Sequence, residues 1–318
     1  MIANAFGGPV TGASALDDKH REGDRVPRTY LTRSAPDTGE VERRRWMFRH
    51  PIVIRVTHWI NAICLLVLLM SGLQIFNAHP ALYWGKVSTF DTPLMAMSST
   101  EDDPPKGTTT VFGHVFDTTG WLGSSVGSNG EAADRGFPVW ATLPSDQDLT
   151  GGRSWHFFFA WAFVLNGLAY LLYGLVSGQL RFRVIPSRDQ IRHFGTSIWE
   201  HLTLRFPQGD EAKRYNVIQK LTYLVVLFVL LPVQVLAGLA MSPAMDAAFP
   251  FLLTLFDGRQ SARTIHFVVA ALLVLFVVVH VALVVLSGFW NNMRGMVTGW
   301  FVIERKVEPA PVTGETRA

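Results

Sequence analysis

Four long apolar stretches, separated by polar segments, dominate the hydrophobic pattern of this chain. They cover residues 52–76, 155–176, 221–241 and 265–289, and each is long enough to cross a bilayer as a helix. The last three contain no Asp, Glu, Lys or Arg, whereas the first carries Arg55 near its start. The pattern predicts an all-α integral membrane protein built as a bundle of four transmembrane helices.

The polar segments outside these stretches predict the domain boundaries. Residues 1–45 are rich in Gly, Pro and charge and contain no apolar run, so we expect a disordered tail without a signal peptide. The helical domain is expected over 46–300, with a long first loop at 77–152. A second tail is expected at 301–318.

The distribution of Lys and Arg predicts the orientation in the membrane. Arginines cluster before the first span and in the second loop, whereas the first loop has nine acidic residues against three basic ones. Because cytoplasmic loops carry the excess of Lys and Arg, we expect both termini in the cytoplasm and the first loop in the periplasm, across a bacterial inner membrane. The net charge of +3 then reflects topology and not nucleic-acid binding.

The second loop contains a candidate amphipathic helix. Ser187 and Gln190 have the spacing of a capping box, and apolar residues follow at helical intervals with arginines between them. Such a helix is expected to lie on the cytoplasmic leaflet as a structural anchor.

Four histidines lie within or at the start of the apolar stretches, where a polar ring is costly and indicates a functional site. His266 and His280 are fourteen residues apart, so they share one helix face at a separation of about 21 Å. His58 and His156 lie near the starts of the first and second spans. In the expected orientation His58 matches His280 in depth (the inner pair), and His156 matches His266 (the outer pair).

Two neutral imidazoles on opposite faces of a flat macrocycle, enclosed by apolar helices, are the ligands of a bis-histidine haem. The two pairs therefore predict two haems per chain. Cys64 is the only cysteine, so a covalent attachment motif is excluded and b-type haems are expected. The other histidines fit no zinc-binding spacing. The alternative is that all four are ordinary polar residues at the membrane interface.

Cations and glycines near the spans are further candidates for haem binding. Arg55, Arg153 and Arg263 lie near the helix ends where haem propionates are expected, although each could equally be an interfacial cation. Four glycines would let a macrocycle approach the backbone, or would simply allow close helix packing. They are Gly72, Gly167, Gly174 and Gly238.

Several motifs carry a family resemblance. They are HPIVIRVTHWIN at 50–61, SGLQIF at 71–76, the His266/His280 spacing, and RGMVTG at 294–299. Together they resemble the bacterial cytochrome b561/nickel-hydrogenase family of di-haem cytochromes, over about residues 49–298 apart from much of the first loop. The resemblance implies haems held between helices one and four and between helices two and four.

The first loop is far longer than a structureless connection usually is. Its segment NAHPALYWG at 77–85 is similar to the thiosulfate-reductase-like branch of the family. Members of that branch accompany a periplasmic molybdopterin oxidoreductase, so the resemblance implies such a partner subunit, with the loop as a partly ordered cap that docks it. A disordered acidic spacer is the alternative.

The start of the third span is a candidate quinone site. Its segment RYNVIQK at 214–220 is similar to the formate-dehydrogenase branch, where this region and the inner haem's fourth-helix histidine line a quinone pocket. Asn216 and Gln219 would offer amide donors to the carbonyl of an exchangeable quinone. Ile218 stands where that branch has a small residue, and the alternative is that Asn216 only caps the helix.

The spans contain no nucleophile–base pair, phosphate-binding glycine loop or paired carboxylates, so no catalytic residues are predicted. We expect an electron-transfer subunit that links the quinone pool to a periplasmic oxidoreductase. A haem-based membrane sensor and a stand-alone cytochrome that reduces a small periplasmic acceptor are the alternatives. A transporter is disfavoured because inverted repeats and intramembrane carboxylates are lacking.

Overall fold

The computed structural model describes residues 29–31, 41–178, 180 and 217–307, and side chains are described within 46–178, 180 and 218–302. The described chain is mostly helical, and four of its helices are long and apolar enough to cross a membrane. This agrees with the predicted helical membrane bundle. The expected amphipathic helix of the second loop and Asn216 lie outside the described residues.

The elements follow one another from a terminal strand, through four spans with a folded first loop, to a final strand. In chain order they are β1 (Thr29–Leu31), β2 (Val41–Phe48), α1 (Ile52–Asn77), β3 (Ala81–Leu82), β4 (Met95–Ser99), β5 (Gly107–Val111), β6 (His114–Asp117), β7 (Gly123–Val126), β8 (Ala132–Arg135), α2 (Leu149–Val176), α3 (Val217–Val225), a π-helical turn (Val226–Leu230), α4 (Leu231–Ala240), α5 (Pro243–Ala248), α6 (Phe251–Leu255), α7 (Arg259–Leu286), α8 (Phe289–Thr298) and β9 (Trp300–Val307).

Two of the spans begin one to two turns before their predicted starts. Helix α2 starts at Leu149 rather than at 155, and the Asp148 carboxylate accepts a hydrogen bond from the Gly151 backbone N–H at 2.9 Å. Helix α7 starts at Arg259 rather than at 265. A hydropathy pattern misses these first turns because they are polar, and in α2 the Asp148 cap stabilises the first turn by satisfying a free N–H group.

The third span is irregular, with a π-helical turn between α3 and α4. Pro232 lies two residues after the end of this turn. Proline has no backbone N–H, and its ring cannot be accommodated against the carbonyl four residues earlier in a regular α-helix. The wider π turn accommodates the chain at this point.

The first loop is folded, and it departs from the predicted all-α architecture. Strands β3, β4, β5 and β6 form an antiparallel sheet in that order, and β7 pairs with β8 as a separate two-stranded ribbon. The strands are rich in Thr, Ser and Val and are separated by glycine-containing turns, a pattern typical of short hairpins. A disordered acidic spacer therefore does not describe this loop.

A small apolar core attaches the loop to the helices. Phe76 at the end of α1 is buried with Leu82 and Met97, and Phe137 and Phe267 pack against them. Beside this core, Arg135 is only 2% exposed, and burial lowers the pKa of its guanidinium. It donates hydrogen bonds to the Phe137 carbonyl, the Thr142 hydroxyl and the Ser145 carbonyl. These bonds satisfy a charge that would otherwise be costly to bury.

The helices of the same unit bury little of their surface. Two apolar clusters join the third span to α7, one around Val226, Val269 and Leu273 and one around Ala237 and Ala262. Many large apolar side chains on the outward faces remain exposed, as with Leu66 on α1, Leu172 on α2 and Leu275 on α7. In water such faces would aggregate, whereas hydrocarbon solvates them, which supports a membrane location.

Among the described residues, those at 29–31, 41–52 and 288–307 form a compact unit of their own. Strands β1, β2 and β9 make an antiparallel sheet in that order, with Phe48 opposite Trp300. Strand β1, the first part of β2 and most of β9 lie within the segments predicted as tails, 1–45 and 301–318. Local composition does not indicate the pairing of β2 with β9, because these strands are more than 200 residues apart in sequence and sheet pairing is a long-range property.

Candidate functional site

The four histidines of the spans form two pairs of facing rings. His58 of α1 lies opposite His280 of α7, with ring centres 6.4 Å apart and ring planes inclined by 64°. His156 of α2 lies opposite His266 of α7 at 6.3 Å and 64°. The structure therefore brings together the same inner and outer pairs that were predicted from their depth in the membrane.

The spacing within each pair fits a metal ion bound between the two rings. A ligating imidazole nitrogen lies about 2 Å from its metal, and the ring centre lies about 1 Å further back. Two rings on opposite sides of one metal should therefore have centres about 6 Å apart, close to both observed separations. Each of the four side chains is only partly buried within the protein, so each keeps a surface that a cofactor could cover.

Hydrogen bonds orient both rings of the outer pair. The Nδ1 atom of His266 lies 2.9 Å from the Gln234 carbonyl oxygen, which can only accept. The Nδ1 atom of His156 lies 3.1 Å from the Ser71 hydroxyl oxygen, and that hydroxyl donates to the Val67 carbonyl at 2.6 Å. Both Nδ1 atoms therefore carry the proton, so both Nε2 atoms present a lone pair to a metal.

Two of the four glycines predicted to admit a macrocycle do lie against the outer pair. A Cβ atom built on Gly72 would be 3.3 Å from Cε1 of His156, and one built on Gly238 would be 3.2 Å from Cε1 of His266. Gly167 has no such neighbour and Gly174 contacts Leu180 instead. Glycine at the first two positions lets the helices approach the histidine rings closely.

Gln234 is a site residue that the sequence analysis did not identify. Its side-chain N–H donates to the lone pair of His266 Nε2 at 3.1 Å, so this side chain has to turn aside for a metal to bind there. Its Oε1 is buried and has no hydrogen-bond partner among the described residues. Gln234 is the only carboxamide within 221–241, and a polar side chain inside a span was the available signal.

A carboxamide pair joins α1 and α2 near the inner pair. The buried Asn166 side chain donates to the Thr57 carbonyl at 2.8 Å and to the Asn61 side-chain oxygen at 2.6 Å. Asn61 follows His58 by three residues, so the two lie on neighbouring positions of one helix face. Polar bonds between helices fix their rotation in a bilayer, and this pair was also missed from sequence. On α7, Phe276 stacks on His280 at 5.9 Å.

Each of the three candidate propionate partners stands three residues before a histidine of a pair, and so on the same helix face. Arg263 donates to the His79 carbonyl and lies 5.2 Å from the Phe76 ring centre. Arg153 is exposed and lies over the Phe157 ring at 5.6 Å. Arg55 is half-buried.

The remaining candidates are less defined. Gln219 is half-buried in the first turns of α3. Cys64 is free and buried, at 2% exposure. Within the described parts of the chain, no cluster of three or more His, Cys, Asp or Glu side chains could hold a metal ion. The two histidine pairs are therefore the arrangement on which a function can be built.

Comparisons with known proteins agree with this arrangement. The family model described as prokaryotic cytochrome b561 matches residues 49–299, which include all four histidines. The chain is also similar to a protein of Azospira oryzae named putative protein-methionine-sulfoxide reductase subunit YedZ1. The two are 28% identical over 237 residues, which cover 74% of this chain and 90% of the relative. No solved structure matches. The family match confirms the resemblance seen in the sequence motifs.

Proposed function

This chain belongs to the prokaryotic cytochrome b561 family and is a membrane haem protein, and from that premise we propose a more specific role. It is the membrane-anchoring di-haem subunit that passes electrons between the quinone pool and a periplasmic oxidoreductase. The observation that carries this proposal is that α7 supplies one histidine to each of two facing pairs, whose ring centres are 6.4 and 6.3 Å apart.

Each histidine pair holds one b-type haem in this proposal. The bound group supplies one-electron redox chemistry. The chain orients it, since the Gln234 carbonyl and the Ser71 hydroxyl fix the outer rings. Arg55, Arg153 and Arg263 neutralise propionates at the ends of the spans. Non-covalent binding follows from the single cysteine, which excludes thioether attachment.

Together, the two sites would carry electrons across most of the membrane. His266 and His280 are separated by about 21 Å along α7, a large part of the roughly 30 Å of hydrocarbon in a bilayer. With both termini in the cytoplasm of a bacterial inner membrane, the inner pair faces the cytoplasm and the outer pair the periplasm. Quinone exchanges electrons at the inner pair, beside Asn216 and Gln219.

The first loop forms the docking surface for the periplasmic partner, proposed to be of the molybdopterin type. The relative from Azospira oryzae is named a subunit of a reductase, which supports a partnership of this kind. Strand β6 lies at the edge of the loop sheet, and its Val115 and Phe116 are 66% and 55% exposed. An open edge strand with apolar side chains is a surface to which another protein can bind.

Haem content tests the proposal. The purified chain should contain two b-type haems, measured as pyridine haemochrome per protein. His156→Ala and His266→Ala should each lose the same haem, whereas His58→Ala should lose the other. His114→Ala, an exposed histidine of the first loop, is the control that should keep both. A ratio near one haem per unaltered chain would refute the two-site arrangement.

A further inference from the structure

A segment of the first loop crosses the start of α7, next to the outer pair. Residues 79–85, here called the crossing segment, are held to the first two turns of that helix by four sets of hydrogen bonds. At one end of the segment, Arg263 donates to the His79 carbonyl, and the Thr264 hydroxyl donates to the Tyr83 carbonyl. At the other end, the Gly85 N–H donates to the Ser261 hydroxyl. The Gly85 carbonyl accepts from the backbone N–H groups of Gln260 and Ser261. The segment is therefore fixed relative to His266.

His79 places a ring nitrogen without a partner in this fixed segment. Its ring stacks on Tyr83 with centres 5.7 Å apart and meets the edge of Phe90 at 5.8 Å. The Nε2 atom is buried and has no hydrogen-bond partner among the described residues. Buried polar atoms are nearly always paired, so this nitrogen indicates a group that the protein alone does not supply.

Arg263 places a positive charge close enough to the His79 ring to lower its pKa. Its guanidinium is half-buried and contacts the His79 carbonyl and the Phe76 ring. No carboxylate within the described residues pairs with it. It precedes His266 by three residues, on the same helix face and one turn nearer the helix start. A partly buried guanidinium and a buried imidazole nitrogen together suit an anion, and a carboxylate accepts from both.

We propose that Arg263 and the Nε2 atom of His79 bind a carboxylate, and that this carboxylate is a propionate of the outer haem. His79 then gains a proton whenever an electron reaches that haem. The inference rests on the proposed function, because it requires a haem between His156 and His266. It adds a proton-linked site that lies outside the iron ligands.

The sign of this coupling follows from the charges that face His79. These are Arg263 from α7 and Tyr83 from the crossing segment. In the structure, burial and then the Arg263 charge lower the pKa of His79, so the ring is neutral at pH 7. A bound carboxylate raises that pKa, and one further negative charge on reduction raises it again.

The coupled step balances one electron with one proton. The electron comes from a quinol or a chemical reductant, and the proton passes from the outer aqueous phase to Nδ1 of His79, because Nε2 already carries the hydrogen that it donates to the carboxylate. Oxidation of the outer haem by the partner releases both the electron and the proton. Between the two pKa values of His79, the oxidised-to-reduced ratio at fixed potential therefore changes up to tenfold per pH unit, or 59 mV for one electron.

Redox titration of the full chain with both haems tests the proposal, over a range of about pH 5.5 to 8.5 that brackets histidine titration. The outer haem is identified as the one that His156→Ala lacks. Its midpoint potential should fall as pH rises, and His79→Gln should remove this dependence because glutamine cannot take the proton. His114→Gln, which changes an exposed histidine of the same loop, should keep it. A pH dependence that survives in His79→Gln with full haem content would overturn the proposal.

A second measurement identifies the carboxylate without changing the protein. Haem-free chain is reconstituted with haem or with haem dimethyl ester, whose propionates are blocked. The ester form should lose the pH dependence of the outer potential. If the ester form keeps it and added acetate shifts it, the site takes a free anion and the propionate assignment is wrong. Absence of an outer haem in the unaltered chain would instead overturn the proposed function.

Discussion

Replacing Ser71 by alanine tests how the outer pair is oriented. Ser71 has 0% exposure, and its hydroxyl lies 3.1 Å from Nδ1 of His156 while it donates to the Val67 carbonyl at 2.6 Å. Alanine removes the acceptor of the His156 N–H and changes no ligand to the metal. The ring would then be free to turn, and its Nε2 would be a weaker ligand.

The size of this effect follows from what remains around His156. Removing a hydrogen bond to a metal-bound histidine typically lowers metal affinity by about 10- to 100-fold, or about 1.4 to 2.7 kcal/mol. The Leu68 carbonyl also hydrogen-bonds to His156 and would keep part of the orientation. We therefore expect a loss of about tenfold in affinity at the outer site, at the lower end of that range.

Haem transfer to excess apomyoglobin measures this affinity through the rate at which each haem leaves. Ser71→Ala should release the outer haem about tenfold faster and leave the inner haem unchanged. Ser154→Ala is the matched control, because the exposed Ser154 hydroxyl bonds only a carbonyl four residues earlier on α2. If the two variants release haem at equal rates, Ser71 does not orient His156.

Three further changes test other parts of the proposed function. Gly238→Leu should lose the outer haem, because its Cβ alone would lie 3.2 Å from the His266 ring. Gly167→Leu is the control and should keep both haems, because a Cβ there meets no atom within 4 Å. The haem content of the two purified variants is the measurement. Asn216→Leu should slow quinol-driven haem reduction several-fold in stopped-flow measurements, and normal kinetics would place the quinone elsewhere. Phe116→Ser on β6 should slow electron transfer to the partner with both haem spectra intact, and an unchanged rate would give the loop another role.

The histidine pairs could be predicted from sequence because helix geometry alone fixes them. The period of the helix places His266 and His280 on one face. The direction of each span then decides whether His58 or His156 reaches the depth of each partner. Only these coarse quantities are needed, so uncertainty of a few residues in the span boundaries did not alter the result.

The contacts that support the pairs could not be predicted in this way. Whether Ser71, Gln234 or Asn166 meets a histidine, a carbonyl or lipid depends on how each helix is rotated about its axis. That rotation is set by packing between helices, which hydropathy does not report. The strands of the first loop were missed for a related reason, because short polar strands are stabilised by partners and not by their own composition.

The distribution of irregularities among the spans is consistent with the role of each. Helix α7 supplies one ligand to each pair and contains neither Gly nor Pro between Arg259 and Leu286. The third span supplies no histidine, and it contains the π turn, Pro232 and Gly238. A regular helix holds its side chains in fixed relative positions, so α7 keeps the two sites at a constant separation. The irregular span can then adapt to the outer pair, where the Gln234 carbonyl meets His266.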